Sequence, residues 1–257
     1  MSGFPSEPFL SEAADWDVFD VNARVGPSGV HGELALETAG LLQEMDRFYI
    51  HEALVSHWTA EEYDAATGNA ALARDLAPRL TPAWAALPDE GSIVELEARK
   101  PAAVRLTPAT PHHNFSTAPW CAGALFDSLQ ANRVLTLIAR ADIEWPALAS
   151  LLADFPKLPV VLLDVGYRAD RHLFPLLRRF PTLYFDTATY LGHRQLEAHV
   201  EQFGPDRMLF GSRLPLYTPG SSLAVLAAAR ISDDARLAIA GGSLRRLLGQ
   251  AKSARNA

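Results

Sequence analysis

With 257 residues, 49% of them hydrophobic and 21% charged, the chain can bury a substantial core and lacks the composition of a disordered protein. Its net charge of −7 argues against a general nucleic-acid binder, which needs a basic footprint, although a local pocket can oppose the global charge. The single cysteine, Cys121, excludes an intrachain disulfide and reads as a small packing residue, and no apolar run approaches the ~20 residues of a membrane span.

Residues 1–15 are polar and acidic and predict an irregular lead-in. The opening Met1-Ser2-Gly3-Phe4-Pro5 has neither the basic nor the apolar region of a secretory signal, so a cytoplasmic protein is expected. Short β-rich runs then alternate with longer amphipathic ones. Trp16–Val21 predicts the first strand, and Leu34–Phe48 a helix with Leu41, Leu42, Met45 and Phe48 on one face. Glu52–Ser56 is the second strand, with a helix around Glu61–Leu76. Arg79–Ala85 is the third, with a short helix over Ile93–Arg99. Pro101–Leu106 is the fourth; a loop rich in Pro, Thr and His (Thr107–Pro119) leads to a helix near Ala122–Asn132. Val134–Ala139, Pro159–Leu163, Leu183–Thr187 and Arg207–Gly211 complete the strands. Their helices fall near Trp145–Phe155, Leu173–Arg179, Gln195–Phe203, and Ser222–Arg230 with Asp233–Leu248, and His199 reads as an exposed helical residue.

Eight strands, each followed by a helix, in a chain close to the ~250 residues typical of the architecture, predict an α/β protein of the (β/α)₈ TIM-barrel class. The strands read as continuous apolar runs, such as Val160-Val161-Leu162-Leu163, as strands buried on both faces do. No linker divides the chain, so residues 1–257 are expected to form one domain. An open doubly wound sheet would show a Gly-rich first turn, and none follows the first strand.

Several stretches between residues 17 and 249 resemble the amidohydrolase-related family of barrels. Val18-Phe19-Asp20-Val21-Asn22-Ala23-Arg24-Val25-Gly26 is similar to that family's Asp-x-His-x-His-x-Gly opening. Leu41-Leu42-Gln43-Glu44-Met45-Asp46, followed by Ala53-Leu54-Val55, resembles its first helix and second strand. Phe155-Pro156-Lys157-Leu158-Pro159, leading to Leu163-Asp164-Val165-Gly166, resembles its sixth unit. Phe203-Gly204-Pro205-Asp206-Arg207-Met208-Leu209-Phe210-Gly211-Ser212-Arg213-Leu214-Pro215 resembles its most distinctive motif, usually Phe-Gly-Ser-Asp-x-Pro, and Arg246-Leu247-Leu248 its closing helix.

The departures fall on the chemistry. Where the resemblance implies metal-holding histidines and an aspartate, this chain offers Asn22 and Arg24 on strand 1, Ala139 or Arg140 on strand 5, Asp164 on strand 6 and Arg213 on strand 8. Arginine has no acceptor lone pair and stays charged, so no metal and no other cofactor are expected at that place. A new metal site from His57, His112 and His113 is the less favoured alternative.

In such barrels the active site lies at the C-terminal ends of the strands. His57, Asp164 and Asp186 are the catalytic candidates. Asn22, Arg24, Arg105, Arg140, Arg213, Tyr167 and His113 are the substrate-binding candidates, with Trp58 as a pocket wall. Asp164 is expected to pair with Arg213 or Arg24, and Asp164→Ala to cost roughly 3–5 kcal/mol if that pair is buried. The resemblance implies hydrolase ancestry. The expected function is metal-independent hydrolysis of a small anionic substrate, such as a lactone or carboxylic acid derivative. The alternative is an inactive relative that binds a small anion or a protein partner. A lyase acting on an aromatic acid ranks last, because the decarboxylases resembled here depend on metal. No nucleic-acid or membrane partner is expected, and a homodimer is compatible with this reading.

Overall fold

The computed structural model describes residues 12–256. The lead-in expected over residues 1–15 falls largely outside them; Ala13–Asp15 form a short 3-10 turn. The strands are β1 (Val18–Val25), β2 (Ile50–His57), β3 (Leu80–Ala85), β4 (Ala103–Leu106), β5 (Leu135–Ala139), β6 (Val160–Leu163), β7 (Leu183–Asp186) and β8 (Met208–Leu209). Each pairs in parallel with the next in chain order. Val21 N donates to Phe210 O (2.9 Å) and Arg24 N to Leu214 O (3.0 Å), which joins β1 to the segment after β8. The sheet is thus a nearly closed (β/α)₈ barrel.

The helices are α1 (Thr38–Arg47), α2 (Trp58–Glu62), α3 (Ala65–Arg74), α4 (Glu90–Arg99), α5 (Pro119–Ala131) and α6 (Trp145–Asp154), then α7 (Asp170–Arg179), α8 (Gln195–Phe203), α9 (Pro219–Ala228), α10 (Asp233–Leu237) and α11 (Ser243–Asn256). Local chemistry sets several of their starts. Asp64, Asp89 and Ser232 accept from the backbone N–H three residues on, satisfying first-turn donors that have no intrahelical partner. Pro119 and Pro219 occupy first helical positions, where a missing N–H costs nothing.

Apolar side chains fill two layers. Phe19, Val21, Leu54, Ala103, Leu137, Val161, Leu163 and Leu209 form the barrel interior, joined by Leu244, Leu247 and Leu248 of α11. Val18, Ile50, Val104, Ile138, Leu162 and Phe185 face the helices. Both strand faces are therefore buried, which is why the strands read as unbroken apolar runs.

The first strand departs from its predicted span. It runs on to Val25, and the pairing with β2 shifts between Asp20 and Ala23, where three steps on β1 face two on β2. This bulge changes which residues face inward. Before it, Phe19 and Val21 enter the interior cluster; after it, Asn22 and Arg24 point into the mouth. Asp20 Oδ1 accepts from Asn22 N at 2.9 Å, satisfying a donor that the bulge frees.

Two other expectations are corrected. The first helix is shorter than Leu34–Phe48, because Gly32–Leu34 form a separate 3-10 turn. His199, read as an exposed helical residue, is wholly buried between Phe174, Phe185 and Phe203. Burial, and then Arg207, push its imidazole down to about 3, so it packs as a neutral ring.

Candidate active site

The C-terminal mouth of the barrel is floored by a charged network centred on Asn22. Its amide nitrogen donates to Asp186 Oδ2 (2.8 Å) and Asp164 Oδ1 (3.1 Å), and its amide oxygen accepts from Arg105 Nη1 (3.1 Å) and Arg24 Nη1 (3.3 Å). One neutral side chain thus separates two carboxylates from two guanidiniums and satisfies both sides.

The guanidiniums converge on Glu61 of α2, a residue that sequence reasoning assigned only to a helix. Arg24 Nε lies 3.0 Å and Arg105 Nε 3.1 Å from Glu61 Oε2, and Ser56 Oγ donates to Oε1. All three charged side chains are almost fully buried. Burial opposes the charge on Arg24, yet Glu61, and then Asp164, hold its pKa above the ordinary arginine value. Its guanidinium also stacks over Trp58 at 4.7 Å. Of the two partners expected for Asp164, Arg213 or Arg24, Arg24 is taken by Glu61.

Asp164 instead pairs with Arg213, Nε to Oδ2 at 3.3 Å. Both sit on left-handed backbone, φ 55° and 60°, a conformation that costs an ordinary residue roughly 1–3 kcal/mol and persists only where the surroundings enforce it. Asp186 Oδ1 accepts from Asp164 N at 2.8 Å. Burial, and then the Asp164 charge, raise the Asp186 pKa well above its ordinary value, against the hydrogen bonds from Asn22 and the Asp164 main chain. Glycine at 211 follows from this packing, since a Cβ there would come within 2.6 Å of Asp186 Oδ2.

The Arg213 side chain is 28% exposed. The pair therefore lies at the rim of the floor, and Asp164→Ala is expected to lower stability by only about 1–2 kcal/mol, less than a buried pair would lose. Thermal unfolding checks this, and a loss as large as that of a fully buried pair would contradict the rim placement.

The remaining candidates divide. His113 Nδ1 lies 2.7 Å from Thr107 Oγ1, beside the Glu61 main chain, and burial, then His112, lower its pKa. His57 ends β2 and caps α2, its Nδ1 accepting from Thr59 N at 3.2 Å. Its ring packs over Gly26, where a Cβ would fall 2.1 Å from Nε2 and φ is +84°. Burial lowers its pKa, and it stands outside the Asn22 network. Arg140 turns away from the floor to Ile143 O (2.7 Å) and Glu144 (3.1 Å). Tyr167 is 58% exposed on the loop after β6. His112 stacks edge-on against Tyr63 rather than joining His57.

Asp20 entered only as part of the opening motif, Glu61 only as a helix start and Asp142 not at all, so none of the three was a site candidate. Asp142 follows β5 directly, at the end of the 3-10 turn Arg140–Asp142. Burial, then the Glu61 charge, push its carboxyl up to about 6, against a partial offset from Arg24. Between its unfolded value of 3.8 and about 6, the folded state keeps a proton that the unfolded chain has released. Stability is thus lost as pH rises through that window, and the cost remains above it. Asp142→Asn removes the cost and, allowing for partial exposure, is expected to stabilise by about 1–2 kcal/mol at pH 8 and by nothing at pH 3.5. Equal Tm changes at the two pH values would contradict this.

The Amidohydrolase family model matches residues 37–250, well over half of the chain. The chain belongs to the amidohydrolase family. In fold it is similar to an uncharacterized TIM-barrel protein from Bordetella bronchiseptica (TM-score 0.74, 19% identity, covering 91% of this chain and 99% of that one). It is also similar to a dihydroxybenzoic acid decarboxylase from Polaromonas solved with manganese and 2-nitroresorcinol (TM-score 0.70, 13% identity, covering 90% and 96%). A third similar fold is a candidate 2-pyrone-4,6-dicarboxylic acid hydrolase from Pseudomonas putida (TM-score 0.67, 16% identity, covering 91% and 98%). At these identities the likeness extends to the fold alone. No curated protein matches the sequence. The family match begins after β1, so the strand carrying Asn22 and Arg24 lies outside it.

The residues at this amidohydrolase mouth do not fit the divalent cation that membership suggests. Asn22 presents N–H groups, not an oxygen, to Asp164 and Asp186. The Arg24 and Arg105 guanidiniums hold its oxygen, and Arg213 stands against Asp164. Among the described residues, no group of three or more His, Cys, Asp or Glu side chains could hold a metal ion.

Proposed function

We propose that this amidohydrolase is a metal-independent hydrolase of a small anionic substrate, a lactone or related carboxylic acid derivative. The observation that carries the reading is the fixed floor in which guanidiniums replace a cation. Arg24 and Arg105 are locked by Glu61 and Asn22, while Arg213 is partly open to solvent. The partly open Arg213 can bind a substrate carboxylate or stabilise the oxyanion that forms when water attacks a carbonyl, with the Arg24–Glu61–Arg105 group adding net positive charge beneath it. Backbone strain at Asp164 and Arg213 supports a functional origin for the rim pair. The likeness to a candidate hydrolase of 2-pyrone-4,6-dicarboxylic acid, a lactone bearing two carboxylates, makes that compound class the first to test.

A second reading, a non-catalytic relative that binds an anion, draws on the same ion pairs. Arg24 and Arg105 already hold a carboxylate. A cavity of about 430 Å³ lies away from the floor, among His193, Arg194, Glu197 and Arg230. The test is turnover of pyrone dicarboxylates, dihydrocoumarin and simple carboxylic esters by protein stripped with a chelator. Hydrolysis unaffected by the chelator is expected. Activity that appears only on adding manganese or zinc would contradict metal independence. Benzoate binding without turnover of any compound would favour the second reading.

A further inference from the structure

Five carboxylates stand around the mouth, and four of them are committed. Asp20 accepts from Asn22 N and from both the N–H and the hydroxyl of Ser212. Glu61 is held by two guanidiniums and a serine, Asp164 by Arg213 and Asn22, and Asp186 by Asn22 and a main-chain N–H. Asp142 alone of the five takes no hydrogen bond or ion pair among the described residues, yet its side chain is half-buried and lies within the field of Glu61, Arg24 and Asp164. Its turn is well anchored. Ile143 is buried next to it, and Arg140, at the other end, is bonded to Ile143 O and Glu144.

A half-buried carboxylate with no protein partner keeps its hydrogen-bonding capacity for water or a ligand. An unengaged carboxylate on an anchored turn at the C-terminal end of β5, the end of the barrel where the mouth lies, is what a proton-transfer step requires. We propose that Asp142 is the proton-transferring residue of this mouth, a role that rests on the hydrolase reading above. Its carboxylate takes a proton from water as the water oxygen bonds to the substrate carbonyl carbon, and the carbonyl electron pair moves to oxygen. The tetrahedral intermediate then re-forms the carbonyl and expels the ring or ester oxygen, which takes the proton back from Asp142. Water and lactone give a hydroxy acid, and Asp142 is regenerated.

The charges that act on Asp142 are Glu61 on α2, Arg24 on β1 and Asp164 after β6. With its pKa raised to about 6, Asp142 is mostly ionised at neutral pH, yet its conjugate acid is strong enough to return a proton.

The experiment measures kcat and KM against pH for the best substrate in the lactone and ester set, with the parent protein and with Asp142→Asn and Asp142→Ser. The parent kcat is expected to rise with pH through about 6 and then level. Both variants should unfold no earlier than the parent, lose 100-fold or more in kcat with KM changed less than threefold, and lack the limb near pH 6. Parent turnover with variants that keep their activity, or keep the limb, overturns the role of Asp142 and leaves the hydrolase reading standing. No turnover by the parent of any compound in the set overturns both.

Discussion

Replacing Glu61 with alanine is expected to lower stability by about 3–5 kcal/mol, the largest loss from any single change at the mouth. Its carboxylate is the shared counter-charge of Arg24 and Arg105, and neither guanidinium can reach solvent. A charge in the interior is tolerated only while paired and hydrogen-bonded. Alanine would leave two such charges against each other and the Ser56 hydroxyl without its acceptor. Glu61→Gln keeps an acceptor oxygen but loses the charge, so it should cost less than alanine. Changing Glu61 and Arg105 together to apolar residues should also cost less than Glu61→Ala, because one stranded cation is removed with the anion. Denaturant unfolding of the three variants measures these differences. A Glu61→Ala protein as stable as the parent would mean that water enters the floor freely.

Asp20→Ala should cost about 3 kcal/mol, because it leaves buried donors unsatisfied at roughly 1–3 kcal/mol each. The donors are Asn22 N, Ser212 N and Ser212 Oγ, all in fully buried residues. The consequence extends beyond stability. Asp20 fixes the β1 bulge and ties it to the segment after β8, where the barrel closes. Asn22 and Arg24 owe their inward aim to that bulge. Burial raises the Asp20 pKa, opposed by the hydrogen bonds from Ser212 and Asn22, and those hydrogen bonds are what hold the bulge. Asp20→Asn, which keeps an acceptor for the two N–H groups, should therefore retain most of the stability. If asparagine and alanine prove equally costly, the ionised carboxylate matters and the hydrogen-bond account is wrong.

The architecture was legible in the sequence because it depends on features that recur along the chain. Runs such as Val160-Val161-Leu162-Leu163, separated by amphipathic stretches, require strands buried on both faces, and eight such units can bury them by closing on themselves. That Asn22, Arg24 and Arg213 stand where the resemblance implies metal-holding histidines and an aspartate was legible too, since arginine offers a cation no lone pair anywhere it is placed. His199 was misread because its imidazole gave no sign of the three phenylalanines that enclose it.

Partnership and aim were decided only by the tertiary structure. A strict two-residue alternation that sends Phe19 and Val21 inward would send Asn22 and Arg24 outward; the bulge reverses this, and nothing local in the sequence marks it. Glu61 reads in sequence as one of the acidic residues of a helix start, and Asp142 as part of a short polar turn. Each gains its character from groups that lie 35 or more positions away in the chain for Glu61 with Arg24, and further for Asp142 with Arg24. The sequence determined that the barrel would form and that its mouth would be rich in arginine. Which carboxylate neutralises those arginines, and which stays free, depends on distances between strands. Electrostatic energy follows separation and burial, and neither is a property of position along the chain.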